Sequence, residues 1–195
     1  MRRKIFQKNS ALREWTESIV IAFVLAMFIR AFFIQAFKIP SGSMKPTLIE
    51  RDRLMVNKLR YGPRVPFTKY KRLPGLTQPE RGDVVVFVYP MDPSRDFIKR
   101  LVALEGEEVE IKEGDIYING ELVKDSVIKN IFYYNGVNYG QEGESFTVPE
   151  GHVFVLGDNS SSSSDGRVWG FVPDENIIGR AELIYWPFNR MRFIK

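Results

Sequence analysis

The amino-acid sequence predicts a mainly β fold of antiparallel sheets, preceded by one N-terminal transmembrane helix. After residue 50, short runs of β-branched and aromatic residues recur between Gly, Pro and Asn turns, and no long segment has helical periodicity. Near the N-terminus, by contrast, lies one long apolar stretch. The 195-residue chain is 44% hydrophobic and 27% charged, which is typical of a folded protein.

The apolar stretch from Ile19 to Phe37 is the predicted transmembrane helix. The run IVIAFVLAMFI is interrupted by Arg30 and continues as AFFIQAF. At about 1.5 Å per residue this stretch spans roughly 28 Å, close to the hydrocarbon thickness of a bilayer. Arg30 lies past its middle, where a long basic side chain can extend toward the nearer interface. Since no A-x-A cleavage site follows the stretch, an uncleaved anchor is favoured over a signal peptide.

The predicted span divides the chain into three parts. We expect a short cytoplasmic N-terminus over residues 1–18, the anchor over 19–37 and an extracytoplasmic β domain over 38–195. The region from about 106 to 151 is richer in acidic residues and Gly, and is expected to be an inserted β appendage. Basic residues on both sides of the span give only a weak bias toward a cytoplasmic N-terminus. The long segment after the span translocates largely regardless of its charge.

The strands are predicted in short runs of β-branched and aromatic residues. Within one of them, Asn119-Gly120 is the residue pair that a type I′ hairpin turn prefers, with alternating apolar residues on both sides. The predicted strand segments are DRLMVNKL, GDVVVFVY, DFIKRLVAL, EEVEIKEGDIYING, ESFTVPEGHVFVLGD and GRAELIYW.

Composition excludes or disfavours several kinds of functional site. The absence of Cys excludes disulfides, thiolate catalysis and Cys-ligated metals. With His152 as the single histidine, a Ser-His-Asp hydrolase and a zinc site are both disfavoured. The 28 basic and 24 acidic residues are mixed along the chain, so the net charge of +4 forms no stripe for nucleic acid. If a serine is the nucleophile, its base should therefore be something other than imidazole. Lysine is the candidate, and it must be neutral to act.

Lys99 is the candidate base. If DFIKRLVALEG is a strand, Lys99 shares a face with Phe97 and Leu101, whereas Ile98 and Arg100 point the other way. A base that is neutral near pH 8 needs a pKa about two units below 10.4, which is roughly 3 kcal/mol of differential destabilisation of the ammonium. Desolvation in an apolar pocket has this effect. From this segment alone, the alternative is an edge-strand lysine with its ammonium in water.

Four sequence blocks, in order behind the apolar span, resemble those of the type I signal peptidases, also called leader peptidases. The resemblance implies a signal-peptidase-like β fold and a membrane-bound serine endopeptidase that removes signal peptides from exported precursors after small residues, at A-x-A sites. The blocks are IPSGSMKPTL, RGDVVVF, DFIKRLVALEG and GDNSSSSSDGRVWGFVP, the last followed by IIGRA.

The resemblance implies a Ser-Lys dyad. Ser43 would be the nucleophile, and Lys99 the general base that takes its proton. The backbone N–H of Ser43 and the hydroxyl of Ser41 would bind the oxyanion. Ser163 would orient the lysine, with Ser162 and Ser164 as alternatives in the serine run. Supporting structural roles fall to Asp158, Asp165 and Arg167.

The resemblance also implies how a substrate is bound. Pro40 keeps residues 37–41 extended, so that they can pair with a substrate by strand addition. Shallow apolar pockets would accept small residues at the first and third positions before the cut. The residues expected at the first pocket are Ile39, Pro40, Met44, Leu48, Phe97 and Ile98, and those near the other are Phe37, Asp96 and Ile98.

The implied partners are secretory precursors bearing signal peptides and the lipid bilayer, with room for a transient contact with the export machinery. No nucleic acid, cofactor or metal is expected. The expected location is the cell (inner or plasma) membrane, with a single pass and the catalytic domain outside. Two alternatives remain open: a membrane-tethered β domain that binds a partner without catalysis, and another Ser-Lys processing protease.

Overall fold

The computed structural model of the chain describes residues 3–65, 68 and 72–194. It confirms the mainly β fold. One long helix, α1 (Arg3–Phe32), precedes the strands, and the described part contains only one further α-helix, the single turn α2 (Gly166–Trp169). The strands are β1 (Ile34–Lys38), β2 (Arg53–Asn57), β3 (Val84–Val88), β4 (Asp96–Ala103), β5 (Glu108–Lys112), β6 (Asp115–Ile118), β7 (Glu121–Leu122), β8 (Ser145–Thr147), β9 (His152–Leu156), β10 (Val172–Pro173), β11 (Ile177–Trp186) and β12 (Arg192–Phe193).

Helix α1 contains a segment that is long and apolar enough to cross a membrane. This segment, Ala11–Phe32, has 22 residues and a mean hydropathy of 1.7. Its side chains face outward and are not covered by the rest of the chain. At about 1.5 Å per residue it is roughly 33 Å long, enough for the hydrocarbon core of a bilayer.

The C-terminal boundary predicted for the span was wrong. Helix α1 ends at Phe32, and residues Ile34–Lys38 form strand β1, which pairs with β2 from Ile34↔Asn57 to Lys38↔Arg53. The segment is apolar enough to continue a helix, but its backbone groups find partners on β2 instead. The predicted N-terminal segment 1–18 is helical from Arg3, and residues 1 and 2 lie outside the described part.

The larger sheet positions the candidate site. Its strand order is β1-β2-β11-β3-β4-β9-β10, and β12 also pairs with β11. All of these pairings are antiparallel. The interior strand β3, VVVFV, is buried on both faces, which explains its continuous run of β-branched residues. The sheet curls so that the end of β1 and the start of β4 border one pocket, although these two strands are far from each other in the strand order.

The smaller sheet has the order β7-β6-β5-β8 and runs from Glu108 to Thr147. The predicted hairpin turn is confirmed: Asn119 and Gly120 have φ of 51° and 79°, and they join β6 to β7. Val109 and Ile111 of this sheet share a buried core with Val102 and Phe154 of the larger sheet. The appendage is therefore packed against the strand that carries Lys99.

Candidate active site

Ser43 lies in a loop between β1 and β2. The loop is anchored at its base by backbone bonds from Ile39 N to Asp52 O (2.9 Å) and from Arg51 N to Ile39 O (3.0 Å). Met44 and Leu48 are completely buried beneath it. Ser43 itself is 8% exposed, and its backbone N–H has no acceptor in the described part of the chain. The loop thus presents a hydroxyl and an unused N–H from a firm apolar base.

Lys99 and Ser43 are in direct contact. Lys99 Nζ lies 2.8 Å from Ser43 Oγ and 3.0 Å from the carbonyl oxygen of Ile98. The lysine is on the interior strand β4 and is only 4% exposed. The strand predicted from DFIKRLVAL is present, and Lys99 Nζ lies 5.5 Å from the centre of the Phe97 ring, on the predicted shared face. The alternative of a solvated edge-strand lysine is therefore wrong.

Burial lowers the pKa of Lys99 to about 8. The carboxylates of Asp165 and Asp158 act in the opposite direction, because they stabilise the ammonium, but desolvation outweighs them. A lysine with this pKa is partly neutral near pH 7 and mostly neutral above pH 8. A neutral amine in contact with a serine hydroxyl can accept the proton of that hydroxyl.

Arg100, the neighbour of Lys99, points to the opposite side of β4 and is fully buried. Its guanidinium forms a bidentate pair with Asp158, through Nε to Oδ1 (2.8 Å) and Nη2 to Oδ2 (2.6 Å). The hydroxyl of Thr47, on the Ser43 loop, donates to the same carboxylate. Asp158 therefore connects the lysine strand to the serine loop, which agrees with a structural role.

The segment Gly157–Asn159 adds further links to the Ser43 loop. The backbone N–H of Asn159 donates to Ser43 O (3.0 Å), and its side-chain amide donates to Gly42 O (3.0 Å). A side chain on Gly157 would not fit, because its Cβ would overlap Ser163 Oγ and lie 2.6 Å from Ser43 O. This position needs glycine because two backbone segments approach each other closely.

Asp165 and Arg167 form an ion pair, with Nη2 of Arg167 2.8 Å from Oδ2 of Asp165. Asp165 also accepts a bond from Gly157 N (3.0 Å). Arg167 donates to the Oγ and carbonyl of Ser160, both at 2.7 Å. The buried pair thus fixes the two ends of the serine-rich loop beside Lys99.

The contact predicted between Ser163 and Lys99 is not formed. The Oγ of Ser163 is buried and has no hydrogen-bond partner within the described residues, and Lys99 is held by Ile98 O instead. Ser163 lies against Gly157 instead: a Cβ on that glycine would come within 2.2 Å of the Ser163 Oγ. The two alternatives, Ser162 and Ser164, both border the cleft that contains Lys99.

A cleft of about 570 Å³ opens over Ser43 and Lys99, and a smaller cavity of about 40 Å³ adjoins it. Ser41 is exposed in the main cleft. Met44 and Leu48 were wrongly expected to line a pocket: both are completely buried in the core, since the loop turns them inward. The other predicted substrate residues border one or both spaces, namely Phe37, Ile39, Pro40, Asp96, Phe97 and Ile98.

Two supporting contacts were not predicted from the sequence, and both come from the C-terminal segment. Asp52 at the base of the Ser43 loop is fully buried and forms a bidentate pair with Arg190, at 2.9 and 3.0 Å. Arg192 donates to Thr47 O (2.8 Å). No local sequence signal links residues so far apart in the chain, so only the fold reveals them.

A serine hydroxyl in contact with a buried lysine of lowered pKa is the arrangement that a serine nucleophile with a lysine base requires. Comparison with known proteins gives the family: residues 12–186 match the family model described as signal peptidase, peptidase S26. The chain belongs to this family, and it is an enzyme of the serine peptidase type that removes signal peptides.

Individual relatives agree with this assignment. The chain is 35% identical to signal peptidase I of Pseudomonas aeruginosa over 94% of its own length and 76% of the relative. It is 38% identical to the probable signal peptidase I-2 of a Synechocystis strain, covering 91% of this chain and 75% of the relative. It is 34% identical to signal peptidase I P of Bacillus subtilis subsp. natto, and the match covers 100% of this chain and 99% of the relative.

Proposed function

We propose that Ser43 and Lys99 form the catalytic dyad of this peptidase. The observation that carries the proposal is the 2.8 Å contact between Ser43 Oγ and the Nζ of a lysine that is 4% exposed. Neutral Lys99 takes the proton of Ser43 Oγ as the oxygen attacks the scissile carbonyl. The resulting ammonium then donates a proton to the leaving amine. The lysine, neutral again, activates the water that hydrolyses the acyl-enzyme.

The oxyanion site of the proposed mechanism comprises the N–H of Ser43 and the hydroxyl of Ser41. The first is supported by the lack of any acceptor for this N–H in the described chain. The second is supported by the exposure of Ser41 in the cleft that contains Ser43 and Lys99. The two bonds from Asn159 to residues 42 and 43 hold the donors in place before substrate arrives.

Ser163 is proposed to orient Lys99 once substrate is bound. A buried hydroxyl without a partner is costly, by about 1–3 kcal/mol. During the reaction Ser43 Oγ leaves its contact with Lys99 to bond with the substrate carbon. The amine then needs a new partner beside the Ile98 carbonyl, and the unsatisfied Ser163 Oγ borders Gly157, next to the Ser43 backbone.

The proposed substrate is an extended segment of a precursor with small residues before the cut. The support is the small size of the second cavity, about 40 Å³, and its apolar border of Phe37, Ile39, Phe97 and Ile98. Residues 37–41 begin in the edge strand β1 and continue past its end. Strand β1 pairs only with β2 in the described sheet, so its free side is open to strand addition.

The proposed location is the cell membrane, with α1 as a single-pass anchor, the N-terminus in the cytoplasm and the catalytic domain outside. The apolar segment Ala11–Phe32 supports the anchor. Trp186 and Phe188, which are 44% and 70% exposed, are suited to the bilayer interface. Trp169 and Phe171 instead pack against the buried cores. Anchoring enzyme and substrate in one membrane raises their effective concentration.

The test is incubation of the purified full-length protein with a secretory precursor that carries an A-x-A site, followed by mass spectrometry of the products. We expect one cut after the second alanine. Ser43→Ala should abolish this product, while circular dichroism shows an unchanged β fold. Processing by Ser43→Ala at the wild-type rate would contradict the proposed nucleophile.

A further inference from the structure

Three basic residues, Lys58, Arg64 and Arg72, form a row that begins where α1 ends. Lys58, just after β2, donates from Nζ to the carbonyl oxygens of Arg30 (3.1 Å) and Ala31 (3.4 Å). Its backbone N–H also binds Phe33 O (2.8 Å). These bonds join Lys58 to the last turn of the apolar helix, at the level where hydrocarbon gives way to lipid headgroups if the helix crosses a bilayer.

The row continues through Arg64 and Arg72, which lie directly opposite each other in an isolated antiparallel bridge. Like charges in this arrangement repel each other. Each guanidinium donates to one backbone carbonyl, Arg64 to Glu175 O and Arg72 to Asp174 O. Three buried guanidinium nitrogens nevertheless have no acceptor in the described residues: Nε of Arg64, and Nε and Nη2 of Arg72.

The neighbouring carboxylates do not pair with the positive charges of this row. Burial lowers the pKa of Lys58 and of Arg64, and the charges of Arg30 and Arg64 lower that of Lys58 further. Burial, followed by the charge of Arg64, lowers the pKa of Arg72 to about 10, so it stays cationic at neutral pH. The carboxylates of Asp96, Asp174 and Glu175 are near enough to attract these cations. Within the described chain, however, none of them forms an ion pair with the row.

We propose that Arg64 and Arg72, together with Lys58, bind the phosphate of an anionic phospholipid headgroup. A phosphate beside the two half-buried guanidiniums accepts charge-assisted bonds and relieves their repulsion. It supplies acceptors for the three buried N–H groups once the guanidiniums rotate outward. The source is a membrane lipid because Lys58 is bonded to the end of the apolar helix, which brings the headgroup region to the row. The inference rests on the proposed membrane anchoring and is independent of the dyad.

The test uses native mass spectrometry of the full chain in a non-ionic detergent, with phosphatidylglycerol or phosphatidylcholine added. We expect phosphatidylglycerol to be retained at least about tenfold more tightly: both lipids carry a phosphodiester, but only phosphatidylglycerol has a net negative charge, whereas the cationic choline of phosphatidylcholine is repelled by the row. The double variant Arg64→Gln/Arg72→Gln should lose this preference. The matched control is Lys112→Gln/Lys124→Gln, which removes the same charge from exposed positions, one in β5 and one in the loop after β7, and should keep the preference.

Cleavage of a soluble A-x-A peptide is measured on the same samples, and both double variants should retain it. This readout separates a failure of the lipid site from a failure of the proposed catalytic function. Three results would overturn the proposal: equal retention of both lipids by the wild type, unchanged preference in the arginine variant, or an equal loss in the lysine control. Full displacement of phosphatidylglycerol by millimolar inorganic phosphate would instead assign the row to a free anion.

Discussion

The two members of the proposed dyad are held in different ways. Lys99 is on an interior strand whose hydrogen bonds to β3 and β9 fix its backbone and whose neighbours exclude water. Ser43 is on a loop without regular secondary structure, and side chains from distant segments fix it: Asn159, Asp158 through Thr47, and Arg192. The base needs burial to become neutral, whereas the nucleophile needs an open face toward the substrate. Each support suits the chemical requirement of its residue.

This difference predicts that changes at Lys99 act on catalysis more than on stability. In Lys99→Met the strand and the apolar packing remain, and no buried amine has to be desolvated. We expect kcat to fall by about 10²–10⁴, the usual contribution of a general base. The unfolding midpoint in urea should not decrease. Activity within a factor of ten of wild type would rule out Lys99 as the base.

Changes at Asp158 should act on stability first. Asp158→Ala leaves the fully buried guanidinium of Arg100 without its bidentate partner and releases Thr47. Breaking a buried pair in this way costs about 3–5 kcal/mol of the free energy of unfolding. Urea denaturation of the full chain in detergent measures the loss. The control is Glu50→Gln, which breaks the exposed Lys45–Glu50 pair on the same loop and should leave the midpoint almost unchanged.

An Asp158→Ala protein as stable as the wild type would show that Asp158 does not hold the serine loop to the lysine strand. A large loss in Glu50→Gln would show instead that any charge change on this loop destabilises it.

The serine run allows a finer comparison within one loop. Ser163→Ala should lower kcat by about tenfold, the equivalent of one hydrogen bond made in the transition state, with KM unchanged. Ser162→Ala and Ser164→Ala, which alter exposed neighbours, should retain wild-type kcat. Steady-state kinetics on an A-x-A peptide distinguishes the three. If Ser162→Ala or Ser164→Ala shows the larger loss, the orienting role moves to that residue.

Much of the site was predictable because its residue types are restricted by chemistry. The absence of Cys and the single His made lysine the candidate base, and the alternation of DFIKRLVAL correctly gave Lys99 the face of Phe97. The same alternation did not reveal that Arg100 is buried as well. Its burial depends on Asp158, which approaches from a distant part of the chain.

Other features depend on contacts that no local pattern encodes. The end of α1 was misplaced because the apolar residues Ile34, Ala36 and Phe37 extend the hydrophobic run beyond the helix, and only their pairing with β2 places them in a strand. Met44 and Leu48 were assigned to a pocket from their position near Ser43, but the turn of the loop directs them into the core. The pair between Asp52 and Arg190 joins two ends of the β domain, so it follows from the fold alone.

The pH dependence of kcat/KM on a soluble A-x-A peptide tests the central claim most directly, since it reports the pKa of the essential base in the free enzyme. Burial lowers the pKa of Lys99, and the neutral form is the active one, so activity should be low in acid and rise with pH. The rise should have its midpoint at about 8 and level off above it. A flat profile between about pH 6 and 10, or a midpoint near the ordinary lysine value of about 10.4, would contradict a buried, neutral Lys99 as the base.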